Sequence, residues 1–243
     1  MREEALLNIE KVFDCKILER DSRFSVLVEV DGKKGRAWLS NSGRLQDLIF
    51  PGAKGLCIEG REKRTSFRLL ASWGKSARGP IVVDTRLHEL SFEVAMSRKV
   101  LPKLRECSLE GKGFRMGNSI LDYSLKCQGR KGVAELKSAA IDREGVASYP
   151  DAPSDRGKRH LAILSDLVRK GLRGFLIFVA PFEWARAFEP AWEVDRELGK
   201  LLVKAFNDGV EITAFSIGLS YMRDGVTAKI FLASPSLPII LSR

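Results

Sequence analysis

The stretch SILDYSLKC, residues 119–127, is followed across the polar turn QGRKG, residues 128–132, by GVAELKSAAI, residues 132–141. Both runs read as β-strands, and each carries charge where a buried strand should carry none. Side chains alternate along a strand, so Leu121, Tyr123 and Leu125 share one face and Asp122 lies on the other. By the same rule Glu135 and Lys137 point the same way. If the two strands pair, Asp122 falls beside Glu135. Two carboxylates on adjacent strands suit Mg²⁺, a hard cation that takes oxygen ligands and keeps several waters; Mn²⁺ is the other candidate. Such an ion polarises a phosphodiester or acidifies water, and a neighbouring lysine orients that water or offsets phosphoryl charge. A cross-strand salt pair on a wet face accounts for the same residues and remains the competing reading.

The parts list, an Asp followed on the next strand by (D/E)-x-K, is that of the restriction-endonuclease-like fold. The tripeptide alone is weak: DCK at 14, DGK at 31, EGK at 110 and ELK at 135 all fit it. DGK reads as a turn, EGK as a Gly-rich loop, and DCK begins a strand that no acid-bearing strand precedes. Only ELK has Asp122 before it. Glu89 and Glu93 lie one helical turn apart on the preceding helix, so Glu93 is a candidate third metal ligand or an ordinary solvated charge. Downstream, YPDAPSDRGKRHL (149–161) places a Pro-fixed loop with Asp151 ahead of a helix N-terminus bearing Arg156, Lys158, Arg159 and His160. Helix N-termini and arginines both suit phosphate. A solvated basic helix cap is the plain alternative.

Charge points the same way. The 243 residues carry a net charge of +10, the footprint of a protein drawn to polyanions. Residues 98–137 hold ten Lys/Arg against four Asp/Glu, and that excess surrounds the acidic strands. With only two histidines, His88 and His160, a three-histidine zinc site is excluded and a Ser-His-Asp triad is disfavoured. No Gly-x-Gly-x-x-Gly or Walker loop is present, so no nucleotide cofactor is expected. The longest apolar run, FLIFVA (175–180), is far short of the roughly 18–20 residues of a membrane span, and no signal-peptide pattern opens the chain. The four cysteines Cys15, Cys57, Cys107 and Cys127 are scattered, which predicts neither a zinc knuckle nor a disulfide frame and implies a reduced, cytoplasmic protein.

The organisation is that of a two-domain α+β protein. Residues 1–85 read as short strands: FSVLVEV, GRAWLS, GLCIE, TSFRLLASW and PIVVDT, with an Asp31-Gly32 turn. NSGRLQDLIFPGA (41–53) predicts a short helix capped by Asn41 or Ser42 and ended by Pro51-Gly52. This pattern fits a small closed barrel of the oligonucleotide/oligosaccharide-binding (OB) type or an open meander. Arg44 then sits either at a phosphate-facing helix start or in solvent, and Trp38, Phe24 and Phe67 are either stacking platforms or core. Residues 86–243 follow an α-β-β-α-β-α-β order, which predicts a mixed α/β sheet. Ser154 or Asp155 should cap the helix whose stripe is Leu161, Leu164, Leu167 and Val168, and residues 219–243 should add an edge element.

Several stretches resemble the sugar fermentation stimulation protein A family: NSGRLQDLIFPGA (41–53), REKRTSFRLLAS (61–72), VVDT (82–85), GNSILDYSL (117–125), AELKSA (134–139), YPDAPSDRGKRHL (149–161) and DGVEITAF (208–215). They occur in the family's order. The resemblance implies an OB-like N-terminal barrel and a nuclease-like C-terminal domain of the PD-(D/E)xK type, with its pattern on Asp122, Glu135 and Lys137. It implies binding to double-stranded DNA without strong sequence preference and a link to sugar-utilisation genes, either as a Mg²⁺- or Mn²⁺-dependent nuclease or as an inactive regulator. Two departures from the family pattern stand out: Ser119-Ile120-Leu121-Asp122 replaces the usual Ser-Arg-Ile-Asp, so that arginine is absent, and His88 stands where Asn is usual.

Overall fold

The computed structural model describes residues 4–62, 65–76, 78–221 and 227–242. In chain order its elements are β1 (Ala5–Glu10), β2 (Val12–Ser22), β3 (Ser25–Val30), β4 (Lys33–Trp38), β5 (Lys54–Glu62), β6 (Thr65–Ser72), β7 (Ile81–Val82) and α1 (Thr85–Ser97). A short 3₁₀ turn, Pro102–Leu104, leads to β8 (Cys107–Met116), β9 (Ser119–Cys127), β10 (Arg130–Ser138), β11 (Ile141–Arg143), β12 (Val146–Tyr149) and α2 (Asp155–Arg169). The chain then continues through β13 (Arg173–Ala180), β14 (Ala187–Pro190), α3 (Arg196–Asn207), β15 (Glu211–Tyr221) and β16 (Thr227–Ser234). Two compact units result. One holds residues 1–91, 181–184 and 217–233, and the other holds 92–180, 185–216 and 234–243.

The first unit is a closed barrel. Strands β4-β3-β2-β5-β6-β7 are hydrogen-bonded in that order, and β4 also pairs with β6, so β2–β6 form a ring of five strands and the open meander is set aside. Alternation builds its core: Val26, Val28 and Val30 of β3 face inward, while their neighbours are partly exposed. Asp31 and Gly32 both adopt positive φ, as a two-residue β3–β4 turn requires. The closing seam needs Gly35, because a Cβ there would lie 2.8 Å from the Phe67 ring.

The helix expected from residue 41 does not form. Arg20 donates to the carbonyls of Gly43 and Arg44 at 2.6 Å each, taking oxygens that a helix would use. The Asn41 Oδ1 accepts from Gly43 N at 2.9 Å, and Leu45 is left-handed at φ 51. These three features make residues 41–45 a pinned loop, followed by a turn in which Leu48 N and Ile49 N donate to Leu45 O.

In the second unit the strand order is β15-β13-β10-β9-β8, with β13 parallel to both β10 and β15. Every residue of β13 after Arg173 is buried, as a strand covered on both faces demands. A smaller sheet, β11-β12-β14, lies in the same unit, and Phe188 of β14 stacks on Phe178 of β13 at 3.8 Å between centroids. Ser154 caps α2 as expected, its hydroxyl accepting from Gly157 N at 3.0 Å.

Sequence reading missed β1, β8, the small sheet and β14. In β8 the triplet EGK, expected in a loop, lies inside the strand; its glycines and charges hide an edge strand whose residues are mostly exposed. Residues 219–243, expected to add an edge element, instead supply β16, which is not an edge because it pairs antiparallel with β1, the strand that ends the sheet; residues 222–226 lie outside the described residues. The cysteine expectation is also corrected. Cys107 and Cys127 form a disulfide, because the β8–β9 register sets them directly opposite one another with Cα atoms 4.0 Å apart. Their separation of 20 residues carries no hint of that register. Cys15 and Cys57 are free and buried in the barrel, with sulfurs 2.9 Å apart.

His88 of α1 is buried, with its Nε2–H donating to Val82 O at 2.9 Å and its Nδ1 unpartnered among the described residues. Burial drives its pKa down to about 4, against the opposing pull of the Val82 carbonyl and Asp84. The folded protein therefore keeps His88 neutral where the unfolded chain protonates it. Stability present at pH 7 is lost as the pH falls from about 6.5 toward about 4, by up to about 3 kcal/mol from this group. Urea unfolding at pH 7.5, 6 and 4.5 should show that loss, and His88→Asn should flatten it.

Candidate metal and nucleic-acid site

The β9–β10 ladder runs in register from Arg130↔Cys127 to Ala134↔Tyr123. The next positions are Glu135 and Asp122. There the Asp122 side chain enters the ladder: its Oδ2 accepts from the backbone N–H of Leu136 at 2.8 Å. Beyond this point β10 continues against β13, through Glu135↔Leu176 and Lys137↔Phe178. Asp122 thus holds the mouth of a splayed strand pair, with Glu135 and Lys137 on the adjoining strand.

Glu135 has 0% exposure. Its Oε1 accepts from His160 Nδ1–H at 2.6 Å and from the Lys137 ammonium. A buried carboxylate is costly unless it is paired and hydrogen-bonded. Burial works to raise its pKa, but the His160 hydrogen bond and the Lys137 charge outweigh it and hold the carboxyl below its ordinary range. The other oxygen, Oε2, is buried without a hydrogen-bond partner among the described residues. A native carboxylate oxygen left so is uncommon.

Helix α2 delivers His160. Gly157 lets the helix start come close: a Cβ there would lie 2.7 Å from the Tyr149 hydroxyl and 3.0 Å from Leu198. The peptide bond between Tyr149 and Pro150 in the preceding loop is cis. Asp195 secures the cap, accepting from Ser154 N at 3.1 Å.

The expected site residues therefore separate. Glu135 and Lys137 are paired, and Asp122 reaches the backbone N–H of Leu136 between them. His160, expected at a phosphate, is instead buried under Glu135. The signal was present, since 160, 164 and 167 fall on one helical stripe and Leu164 and Leu167 are core. Glu93 is engaged elsewhere: its Oε1 accepts from the Tyr123 hydroxyl at 2.8 Å and pairs with Lys112 at 2.6 Å. Tyr123 alternates with Asp122, so this contact belongs to the other face of β9. Lys158 is committed to Glu197 at 2.5 Å and Asp195 at 3.5 Å. Arg156 and Arg159 remain exposed on α2, and Arg44 is exposed on the barrel loop.

Two family models match this chain, "SfsA N-terminal OB domain" over residues 18–83 and "Sugar fermentation stimulation protein RE domain" over residues 86–222. A sugar fermentation stimulation protein homolog of Archaeoglobus fulgidus is 38% identical over 97% of this chain and 99% of its own length. The chain belongs to the sugar fermentation stimulation protein (SfsA) family. A Pyrococcus furiosus SfsA homolog is 35% identical over 87% of this chain and 91% of its own length. The solved structure of Pyrococcus furiosus SfsA, a complex with Ca²⁺, superposes with a TM-score of 0.88 at 31% identity, covering 98% of this chain and 99% of that one. The SfsA N-terminal OB domain is the closed five-stranded barrel described above.

In this SfsA-family chain the Glu135–His160 contact should be worth stability. The lowered pKa places that stabilisation above the unfolded glutamate value of about 4.3, and it fades as acid protonates the group. At pH 7, His160→Ala should cost about 3 kcal/mol in denaturant unfolding, because a buried charge loses a donor. His160→Gln, which keeps an N–H donor, should lose less.

Proposed function

We propose that this chain is a DNA-binding protein whose second domain is of the restriction-endonuclease-like, PD-(D/E)xK type and cleaves phosphodiesters with little sequence preference. The observation that carries this reading is the Glu135–Lys137 pair with Asp122 on the backbone N–H between them, where one Glu135 oxygen is buried without a hydrogen-bond partner among the described residues. The donor set fits a hard divalent cation. It offers carboxylate oxygens and no thiolate, and Mg²⁺ and Mn²⁺ both accept such ligands. Among the described residues no three His, Cys, Asp or Glu side chains gather into a metal cluster, so two carboxylates, with waters, would hold the ion. The Ca²⁺ of the Pyrococcus furiosus relative supports a cation in this family.

When bound, the ion supplies Lewis-acid polarisation of the phosphodiester and a more acidic water. The chain's own residues do the rest. Asp122 and Glu135 present the oxygens, and Glu135 is kept ionised by His160 and Lys137. Lys137, 14% exposed at its side chain, is in reach to orient a water or to offset phosphoryl charge once its ammonium turns from Glu135. Arg156 and Arg159 are placed for backbone phosphates, which position DNA without reading sequence. The net charge of +10 supports a polyanionic partner, proposed as double-stranded DNA. In this proposal the division into an OB barrel (1–85) and a nuclease-like domain (86–243) separates binding from chemistry.

One observation favours a second reading, a catalytically silent DNA-binding regulator of sugar-utilisation genes. Lys137 offsets the Glu135 charge and His160 donates a hydrogen bond to it, as a structural pair would.

A single set of assays separates the two. Purified protein is incubated with plasmid, linear duplex, single-stranded DNA and RNA in Mg²⁺ or Mn²⁺, and duplex affinity is measured from 50 to 300 mM salt. The nuclease reading expects metal-dependent cleavage that falls at least a hundredfold in Glu135→Ala and Lys137→Ala, with duplex affinity dropping steeply as salt rises. Salt-sensitive binding without cleavage of any substrate leaves the regulator. Binding that ignores salt sinks both.

A further inference from the structure

The barrel carries a second built pocket, separate in composition from the acidic site. It has a volume of ≈ 270 Å³, and its lining includes Trp38, Glu59, Thr65, Phe67, Arg68 and Arg86. Every lining residue lies within residues 38–86, so the pocket belongs wholly to the first unit. It opens on the seam that closes the barrel, where β4 and β6 set Trp38 opposite Arg68 and β5 and β6 set Ile58 opposite Arg68.

Its side chains are held in place by a buried acid. Asp84 is fully buried, and its Oδ2 takes the guanidinium of Arg68. Its Oδ1 accepts from Ser40 Oγ at 2.5 Å and from the backbone N–H of Arg86 at 3.0 Å, which fixes the first turn of α1. Arg86 then lies over the Trp38 ring at 3.9 Å from its centroid, and Arg68 approaches the same ring at 5.8 Å. Arg68 spends its charge on Asp84, whereas Arg86 is exposed and has no carboxylate partner among the described residues. Thr65 is 92% buried by its 8% exposure, yet its hydroxyl has no hydrogen-bond partner among the described residues.

An aromatic surface, a guanidinium plane, a free positive charge and an unmet buried hydroxyl together describe a planar, hydrogen-bonding ligand with an attached anion. A nucleobase with its phosphate has that chemistry: the base stacks on aromatic rings and arginine planes, and the phosphate meets the guanidinium. Thr65 and Glu59 offer a hydroxyl and a carboxylate for the polar edge of the base. A base paired within a duplex cannot present its face to such a pocket.

We propose that the Trp38–Phe67–Arg86 pocket binds one unpaired nucleotide of single-stranded DNA, with the base against the aromatic and guanidinium surfaces and the phosphate at Arg86. This rests on the DNA-binding reading but adds a strand preference at a different site.

The test uses the full chain. A ten-nucleotide oligo-dT carrying one central 2-aminopurine, and a 20-base-pair duplex, are titrated by fluorescence anisotropy with wild type, Trp38→Ala, Arg86→Gln and Thr65→Val. The proposal expects 2-aminopurine quenching on binding. It also expects a loss of single-strand affinity of about tenfold in Trp38→Ala, in keeping with one stacked base. Arg86→Gln should lose several-fold, while duplex affinity stays within twofold for both variants. Arg86 is exposed, so its substitution tests the pocket even if Trp38→Ala fails to fold. Unchanged single-strand affinity in the Arg86 variant, no quenching, or equal losses on duplex and single strand would overturn it. Failure to bind any DNA would overturn the broader DNA-binding reading as well, whereas duplex binding with an indifferent pocket would overturn the pocket alone.

Discussion

A carboxylate with no exposure to water must be compensated where it stands. Glu135 meets that demand through His160 on one side and Lys137 on the other, both at the same oxygen. Much of the second unit follows from this pairing. Helix α2 must present His160 inward, so its start must come close to the Tyr149 hydroxyl, and Gly157 makes that approach free of a clash. Ser154 and Asp195 then cap and anchor the helix at the height where His160 reaches the strand. The apolar stripe behind His160 drives the helix onto the sheet, and the hydrogen bond from His160 to Glu135 fixes its position there.

The first unit contains an instructive counterpart. Asp84 is as buried as Glu135, but both of its oxygens are engaged, by Ser40 and the Arg86 amide on one side and by Arg68 on the other. Glu135 keeps one oxygen without a hydrogen-bond partner among the described residues. Burial alone therefore does not mark a site of chemistry. Asp84 acts as an organiser, fixing the barrel seam to the first turn of α1. Glu135 is a buried charge met at one oxygen and not at the other among the described residues.

Membership of the SfsA family joins an OB barrel to the mixed α/β unit within one chain. Surplus positive charge in both parts suits a single extended polyanion. Fold and family do not by themselves make an enzyme. The nuclease reading proposed above rests on local features: the β9–β10 register ends beside Asp122, whose carboxylate takes the Leu136 N–H, and one Glu135 oxygen has no hydrogen-bond partner among the described residues.

Much of this was legible in the residues. Asp122, Glu135 and Lys137 stood out because charge interrupts two apolar alternations, and period 2 alone puts Glu135 and Lys137 on one face. The β3–β4 turn, the Ser154 cap, the α2 stripe and the buried β13 strand were equally local signals. Edge strand β8 was hidden because an exposed edge needs no apolar pattern, and the helix expected after Asn41 lost its carbonyls to Arg20, a residue more than 20 positions earlier. The sequence by itself thus determined a run of short strands followed by an α/β part, the acidic strand pair and the basic surroundings, because these follow from periodicity and charge, while closure of the barrel came from the β4–β6 pairing. Only the tertiary structure decided that His160 serves Glu135 and not a phosphate, that Glu93 belongs to Tyr123, that Lys158 is already paired, and that Cys107 faces Cys127. Each of these depends on which distant backbone segment comes within about 3–4 Å, and no local pattern encodes that distance.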